Sequence, residues 1–340
     1  MRTARWWILA TAVALAGCGK KGPEAAAPAP ESGKYLPADA AGYLELDVKA
    51  LMASTLIRPL RDKLLDRVPP ACRPLADRTE RLALAMYGSA GELLDGMFAA
   101  AESEGRPPAG EGDGGAAEAA RPAPDMALLL KGPAAADVRA CLDWLSAKDG
   151  APVREEQRNG RKVLLGGTGN EQFALVSPTD VVHVMCTAPR LDAVLATAAG
   201  GPSIESSHLV KTMATMSAGA VVGAMKVPES VAAMMADGLA MFSGGKPVPA
   251  PLSAAFSVGL GDSIAVAAAL TFSDEAGAQR LLEMANGLIG TAKAGLAMAV
   301  ANKPEVAPYK QMLDSLSLSR SGATVAARIV ISGDLLQTIL

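Results

Sequence analysis

Apolar positions along the chain fall into short runs of two periods, and the two alternate. Tyr43, Leu44 and Leu46 form a strand-like run just after "LPAD" at 36–39. Ile57, Leu60, Leu64 and Val68 then repeat at helical spacing. Ser54 or Thr55 can cap that helix, Pro59 sits in its first turn where a missing N–H costs little, and "PPACRP" stops it. "RLALAMYG" and "MALLLKG" predict two more strands. "AAADVRACLDWLSAKDG" predicts a helix with Val138, Cys141, Leu142 and Leu145 on one face and Gly150 just past its end. Hairpins follow around Asn159-Gly160 and between Ser177 and Asp180, and 188–201 is again a helix ending at glycine.

The same sequence of patterns returns later. "AGAVVGAMKVPESVAAMM" at 218 matches "AGYLELDVKALMASTLIR" at 41 as strand then helix, an offset of 218 − 41 = 177. "LSRSGATVAARIVISGDLLQTIL" matches "LVSPTDVVHVMCTAPRLDAVLAT" as strand, tight turn, strand and short helix; pairing Ser332 with Thr187 gives 332 − 187 = 145. The offsets differ by 32, about the length of 100–125, a stretch of Gly, Pro, Ala and acidic residues with no apolar face. The expectation is an α+β fold: antiparallel sheets with helices packed on one face, in two related halves from a diverged duplication. The halves are 35–205, carrying a mobile low-complexity insertion at 100–125, and 206–340.

The first residues break this pattern. Arg2 and Arg5 precede an apolar run from Trp6 to Ala16 that is too short for a membrane span, which needs about 20 residues. It fits the signal peptide of a secreted protein, residues 1–17. Leu15-Ala16-Gly17-Cys18 resembles the lipobox of bacterial lipoproteins. That resemblance implies cleavage before Cys18 and acyl chains, palmitate among them, on that residue; two or more chains hold a protein stably on a membrane. Residues 18–34 are Pro, Ala, Gly and charge, and read as a lipidated flexible tether. Gly19, rather than Asp, after the cysteine favours the outer membrane over the inner by the enterobacterial sorting rule. The body is similar to uncharacterised secreted bacterial proteins that open with "LPAD", continue into a "YLxLDV" strand and end with a strand and short helix, here Leu36–Asp39, Tyr43–Leu51 and Val325–Leu340. This likeness implies the antiparallel α+β architecture and brings no activity or site residues.

Composition narrows the function classes. The formal net charge is −3, and removing Arg2 and Arg5 with the leader takes it to −5, so nucleic acid is not an expected partner. Besides Cys18 there are Cys72, Cys141 and Cys186. Three buried free thiols are the first reading; if export allows one bridge, Cys141–Cys186 is the first pair to consider, since both lie in the same half.

Catalytic patterns are thin. His183 shares a strand face with Val181 and Met185, as a half-buried core histidine would, and His208 has no nucleophile near it in sequence. There is no G-x-S-x-G elbow, H-E-x-x-H or P-loop, and "GLGDS" at 259–263 is a hairpin turn. Glu45 and Asp47, and the adjacent Glu155 and Glu156, read as exposed sheet carboxylates. The basic excess over 58–81 reads as a solvated helix face. No metal site or cofactor is expected.

The unusual feature is a run of methionines: Met213, Met216, Met225, Met234, Met235 and Met241. Methionine fills irregular cores and lines adaptable apolar surfaces. On a helix at 229–241, Val231, Met234, Met235 and Met241 form one stripe, expected to close an ordinary core. The six are also the candidate ligand-binding residues. The functional expectation is a membrane-anchored, non-enzymatic lipoprotein of the cell envelope, its body in the periplasm or at the cell surface, acting as an interaction or structural module with an envelope protein as partner. The alternative is a periplasmic carrier or sensor of an apolar ligand near 213–241.

Overall fold

The computed structural model describes residues 31–55, 58–88, 125–168, 172–216, 219–242, 248–333 and 335. The leader, Cys18, most of the tether and the insertion at 100–125 (except Asp125) lie outside them.

The strands predicted from the short apolar runs are present, and all join one antiparallel sheet. In chain order they are β1 (Gly42–Asp47), β2 (Arg81–Met86), β3 (Met126–Lys131), β4 (Arg154–Arg158), β5 (Arg161–Gly166), β6 (Phe173–Thr179), β7 (Val182–Thr187), β8 (Val221–Lys226), β9 (Ser253–Leu260), β10 (Ser263–Thr271), β11 (Ser317–Ser321) and β12 (Thr324–Ser332). Their order across the sheet is β11-β12-β10-β9-β8-β1-β2-β3-β7-β6-β5-β4. The helices are α1 (Val48–Ala53), α2 (Arg58–Leu65), α3 (Arg73–Arg78), α4 (Ala135–Asp149), α5 (Leu191–Ala198), α6 (His208–Met213), α7 (Glu229–Phe242), α8 (Glu275–Asn302) and α9 (Ala307–Asp314). The class is α+β, as the pattern predicts.

The two halves share a strand order. The first runs β1-β2-β3-β7-β6 outward from the centre and adds the β4–β5 hairpin at its edge; the second runs β8-β9-β10-β12-β11. They meet at β1 and β8, where Gly42 lies opposite Met225 and Leu46 opposite Val221. Local chemistry made the hairpins legible. At the β4–β5 turn Asn159 and Gly160 both have positive φ, 51° and 73°, as a two-residue hairpin turn requires. Gly261-Asp262 turns β9 into β10.

Both sheet faces are covered in the first half, so the expectation of helices on one face is amended. Strands such as "RLALAM" are apolar on both sides and need cover on both. Leu82, Leu128 and Leu130 pack under Val48 and Met52 of α1, Leu75 of α3, and Val138 and Leu142 of α4. On the opposite face Tyr43, Ala83, Ala85 and Leu129 pack under Leu191, Val194 and Leu195 of α5 and Leu209, Val210 and Met213 of α6. Leu36 and Ile204 close this second layer, tied by the Ile204 amide donating to the Leu36 carbonyl at 2.8 Å.

That division of faces also decides the cysteines. Cys141 sits with the α4 layer and Cys186 with the α5 layer, so the sheet separates them. Cys72 and Cys141 form the disulfide instead, and Cys186 is a buried free thiol. Neither three free thiols nor a Cys141–Cys186 bridge is therefore the outcome. Burial and the negative field of Asp125 push the Cys186 thiol up to about 12.

The second half is covered less. Its separate core holds Val248, Phe272, Ala278 and Val325, with Leu239 of α7 and Leu281 and Leu282 of α8 packed against them. Along the 28 residues of α8 the buried positions are Gly277 and Ala278.

Candidate functional site: the methionine segment and the uncovered helical face

The structure disperses the six methionines. Met213 and Met216 are 7% and 5% exposed and belong to the central core beneath α6. Met225 is half-buried on β8, opposite Gly42. Met235 is half-buried on α7, and Met234 is 67% exposed. The side chain of Met241 lies outside the described residues. The expectation that the α7 stripe closes an ordinary core is thus corrected at Met234. Consecutive side chains on a helix lie about 100° apart, so Met235 can turn inward while Met234 faces out.

Other exposed apolar side chains lie on α8. Leu288 and Met298 of α8 are 50% and 68% exposed. By length and composition α8 could cross a membrane, and none of its apolar window is buried. The helical layer touches the sheet through Leu270 and Val325. Two residues further along β10, Ala268 is exposed, and its cross-strand neighbour Phe256 is 42% exposed. The Phe256 ring lies over Gly223, where an added Cβ would come within 2.7 Å of the ring. Single exposed apolar residues are ordinary on a protein surface, and several here fall on the helices and strands of the second half.

Potential catalytic groups are tied into structure. His183 is fully buried; its Nε2–H donates to the Pro133 carbonyl at 3.0 Å, which leaves Nδ1 to accept from the Ser177 hydroxyl at 2.8 Å. Burial lowers its pKa, opposed by the Pro133 hydrogen bond and Asp180. A carbonyl orients the ring but does not offset an imidazolium charge as a carboxylate would, so the arrangement fastens the β6–β7 hairpin to the β3–α4 loop. Glu45 accepts from Arg81 at 3.0 Å and from the Tyr43 hydroxyl at 3.2 Å. Asp47 caps α1 by accepting from the Ala50 amide. Glu155 pairs with Lys162 and Glu156 with Arg158. Among the described residues no cluster of three or more His, Cys, Asp or Glu side chains could hold a metal.

One polar knot carried no sequence signal. Arg190 donates to Asp39 at 2.7 Å and Asp125 at 2.8 Å, and its guanidinium stacks 4.1 Å from the Tyr87 ring centre. It joins the segment just before β1, the entry to β3 and the end of β2, positions far apart in sequence. Burial raises the Tyr87 hydroxyl well above its ordinary pKa, so it stays protonated.

No family model matches the chain, and no curated protein matches it. One solved structure, titled "Structure of crystal form I of TP0453", aligns over 90% of this chain and 95% of that one at 11% identity, with a TM-score of 0.42. A likeness that distant carries no functional argument.

Proposed function

We propose that the protein is a lipid-anchored, non-enzymatic module of the cell envelope, held on the outer membrane through Cys18, and that its second half is the working surface. The observation that carries this reading is α8: a long apolar helix with none of its apolar window buried. Exposed Met234 on α7 and exposed Phe256 on β9 extend the same apolar character. A soluble body that leaves such a surface uncovered gains by meeting an apolar partner. The Cys72–Cys141 disulfide supports export, because such bridges persist in oxidising compartments. The matching strand order supports reading the chain as two related halves, one with its helical layer well packed on the sheet and one with it looser.

The partner of this surface is an envelope protein in the first reading. The second reading, an apolar ligand or lipid, is favoured by the exposed, adaptable Met234 and Met298. Photo-crosslinking residues placed at Leu288 and Met298 in cells of the native host separate the two. Discrete protein adducts support the first reading and lipid adducts the second. A chain that forms neither would refute the assignment of this face.

A further inference from the structure

On the other side of the second half lies a cavity of different character. Counting across the strands, Lys226 of β8, Ser253 of β9, Thr271 of β10 and Thr324 of β12 stand in one cross-strand row, on the sheet face that carries Ala224, Ala255 and Ala269. α6 lies beside this row, with contacts to β8 and β9, and contributes His208, Lys211 and Thr212. Together they line a cavity of about 670 Å³. Among the described residues its wall holds two lysines, one histidine and several hydroxyls, and no carboxylate.

That charge balance is unusual in a chain of net charge −3. Elsewhere the cations are commonly answered: Arg81 by Glu45, Arg78 by Asp137, Arg190 by Asp39 and Asp125. Lys211 and Lys226 have no carboxylate partner among the described residues. Burial, and after it the charges of Lys226 and Lys211, lower the pKa of His208. The row of hydroxyls is in place as well: Thr271 and Thr324 are 3.0 Å apart, Oγ1 to Oγ1, and Thr212 and Ser253 3.4 Å, Oγ1 to Oγ. Unanswered cations beside hydroxyl donors in a concave site are what binds a multi-oxygen anion by charge-assisted hydrogen bonds.

We infer that the cavity formed by His208, Lys211, Lys226, Ser253, Thr271 and Thr324 binds a phosphate group. The group is carried either by free phosphate or by an anionic lipid headgroup. Leu252, 54% exposed on the cavity rim, and Val227 give an apolar border that suits either source. This inference stands independently of the reading of α8.

The two histidines allow a direct test, because His183 is fully buried and serves as an internal reference for His208. The imidazole signals of the purified full-length protein are followed by NMR in detergent as inorganic phosphate is added at constant ionic strength. The same measurement is made with nanodiscs of phosphatidylcholine, with and without phosphatidylglycerol. Saturable movement of the His208 signal with phosphate, and a rise in its titration midpoint, support a free-phosphate site. Movement requiring phosphatidylglycerol assigns the headgroup. In either case Lys211→Gln and Lys226→Gln each weaken the response about tenfold, the effect of losing one charge-assisted contact, while Lys226→Arg retains most of it and controls for folding. A His208 signal that responds equally to chloride, or to none of these additions, or that responds unchanged in both glutamine variants, overturns the inference.

Discussion

Met234 and Met213 set the two environments of the methionine segment against each other in one experiment. Full burial of a methionine side chain stabilises a protein by about 1.5–3 kcal/mol. Met234 is 67% exposed, so only about a third of that, roughly 0.5–1 kcal/mol, is at stake. Alanine returns a few tenths through its better helix propensity. Met234→Ala should therefore cost well under about 1 kcal/mol. Met213 is 7% exposed in the central core, where truncation also leaves a cavity, and Met213→Ala should cost about 2–5 kcal/mol. Urea unfolding followed by circular dichroism measures both, read as midpoint shifts at unchanged slope. A loss of 2 kcal/mol or more at Met234 would show that α7 packs inward and that the face around it is closed. A loss below about 1 kcal/mol at Met213 would show that α6 does not seal the centre of the sheet.

Other consequences can be measured with the same preparation. Cys141→Ser should turn Cys72 into a buried free thiol that is alkylated only when the protein unfolds, and cost about 2–5 kcal/mol; Cys186 should likewise resist alkylation at pH 8 until the protein unfolds, and rapid labelling of native Cys186 would contradict its burial. Cys18→Ser should abolish acylation, and acyl mass remaining on the mutant would refute the lipobox reading. Arg190→Lys should destabilise by about 1–3 kcal/mol, because an ammonium cannot serve both carboxylates and stack on Tyr87; an unchanged midpoint would deny the knot its structural role. His183 is held neutral in the fold, so the unfolded chain binds the extra proton and stability falls as pH drops below about 6.5. Replacing it with glutamine should flatten the melting-temperature slope between pH 7.5 and 5, and an unchanged slope would refute this assignment.

What the sequence revealed and what it hid divide along physical lines. Strands and hairpins depend on neighbours a few residues apart, and they were legible: Asn159-Gly160 and Gly261-Asp262 both turn where their residue types demand it. Contacts between distant segments were not. The β1–β8 junction joins residues 42–46 to 221–225, and nothing in either run names the other. The disulfide failed for the same reason. Cys141 and Cys186 look like near neighbours in sequence, but the faces they occupy depend on strand parity and on which side α4 packs. Arg190 could not be singled out because its partners, Asp39 and Asp125, lie 151 and 65 residues away.

The contrast between the halves has a cause in their side chains, since they share a strand order. Beneath α4 the sheet presents Leu82, Leu128 and Leu130, and α4 answers with Val138, Cys141 and Leu142. In the second half the same sheet face carries Phe256, Val258, Val266, Leu270 and Ile329, an apolar floor like that of the first, yet the long helix that follows β10 buries only Gly277 and Ala278. The difference lies in the helices: α4 buries Val138, Cys141 and Leu142, whereas α8 is buried only at two small residues near its start and removes less apolar area from water. α8 keeps its leucines and methionines nonetheless. Its apolar surface therefore exceeds what the sheet below takes up, and the excess is built into the sequence of the second half. An apolar helix that is buried only near its start suits transient association, because an outside partner can cover the rest without first displacing a packed core.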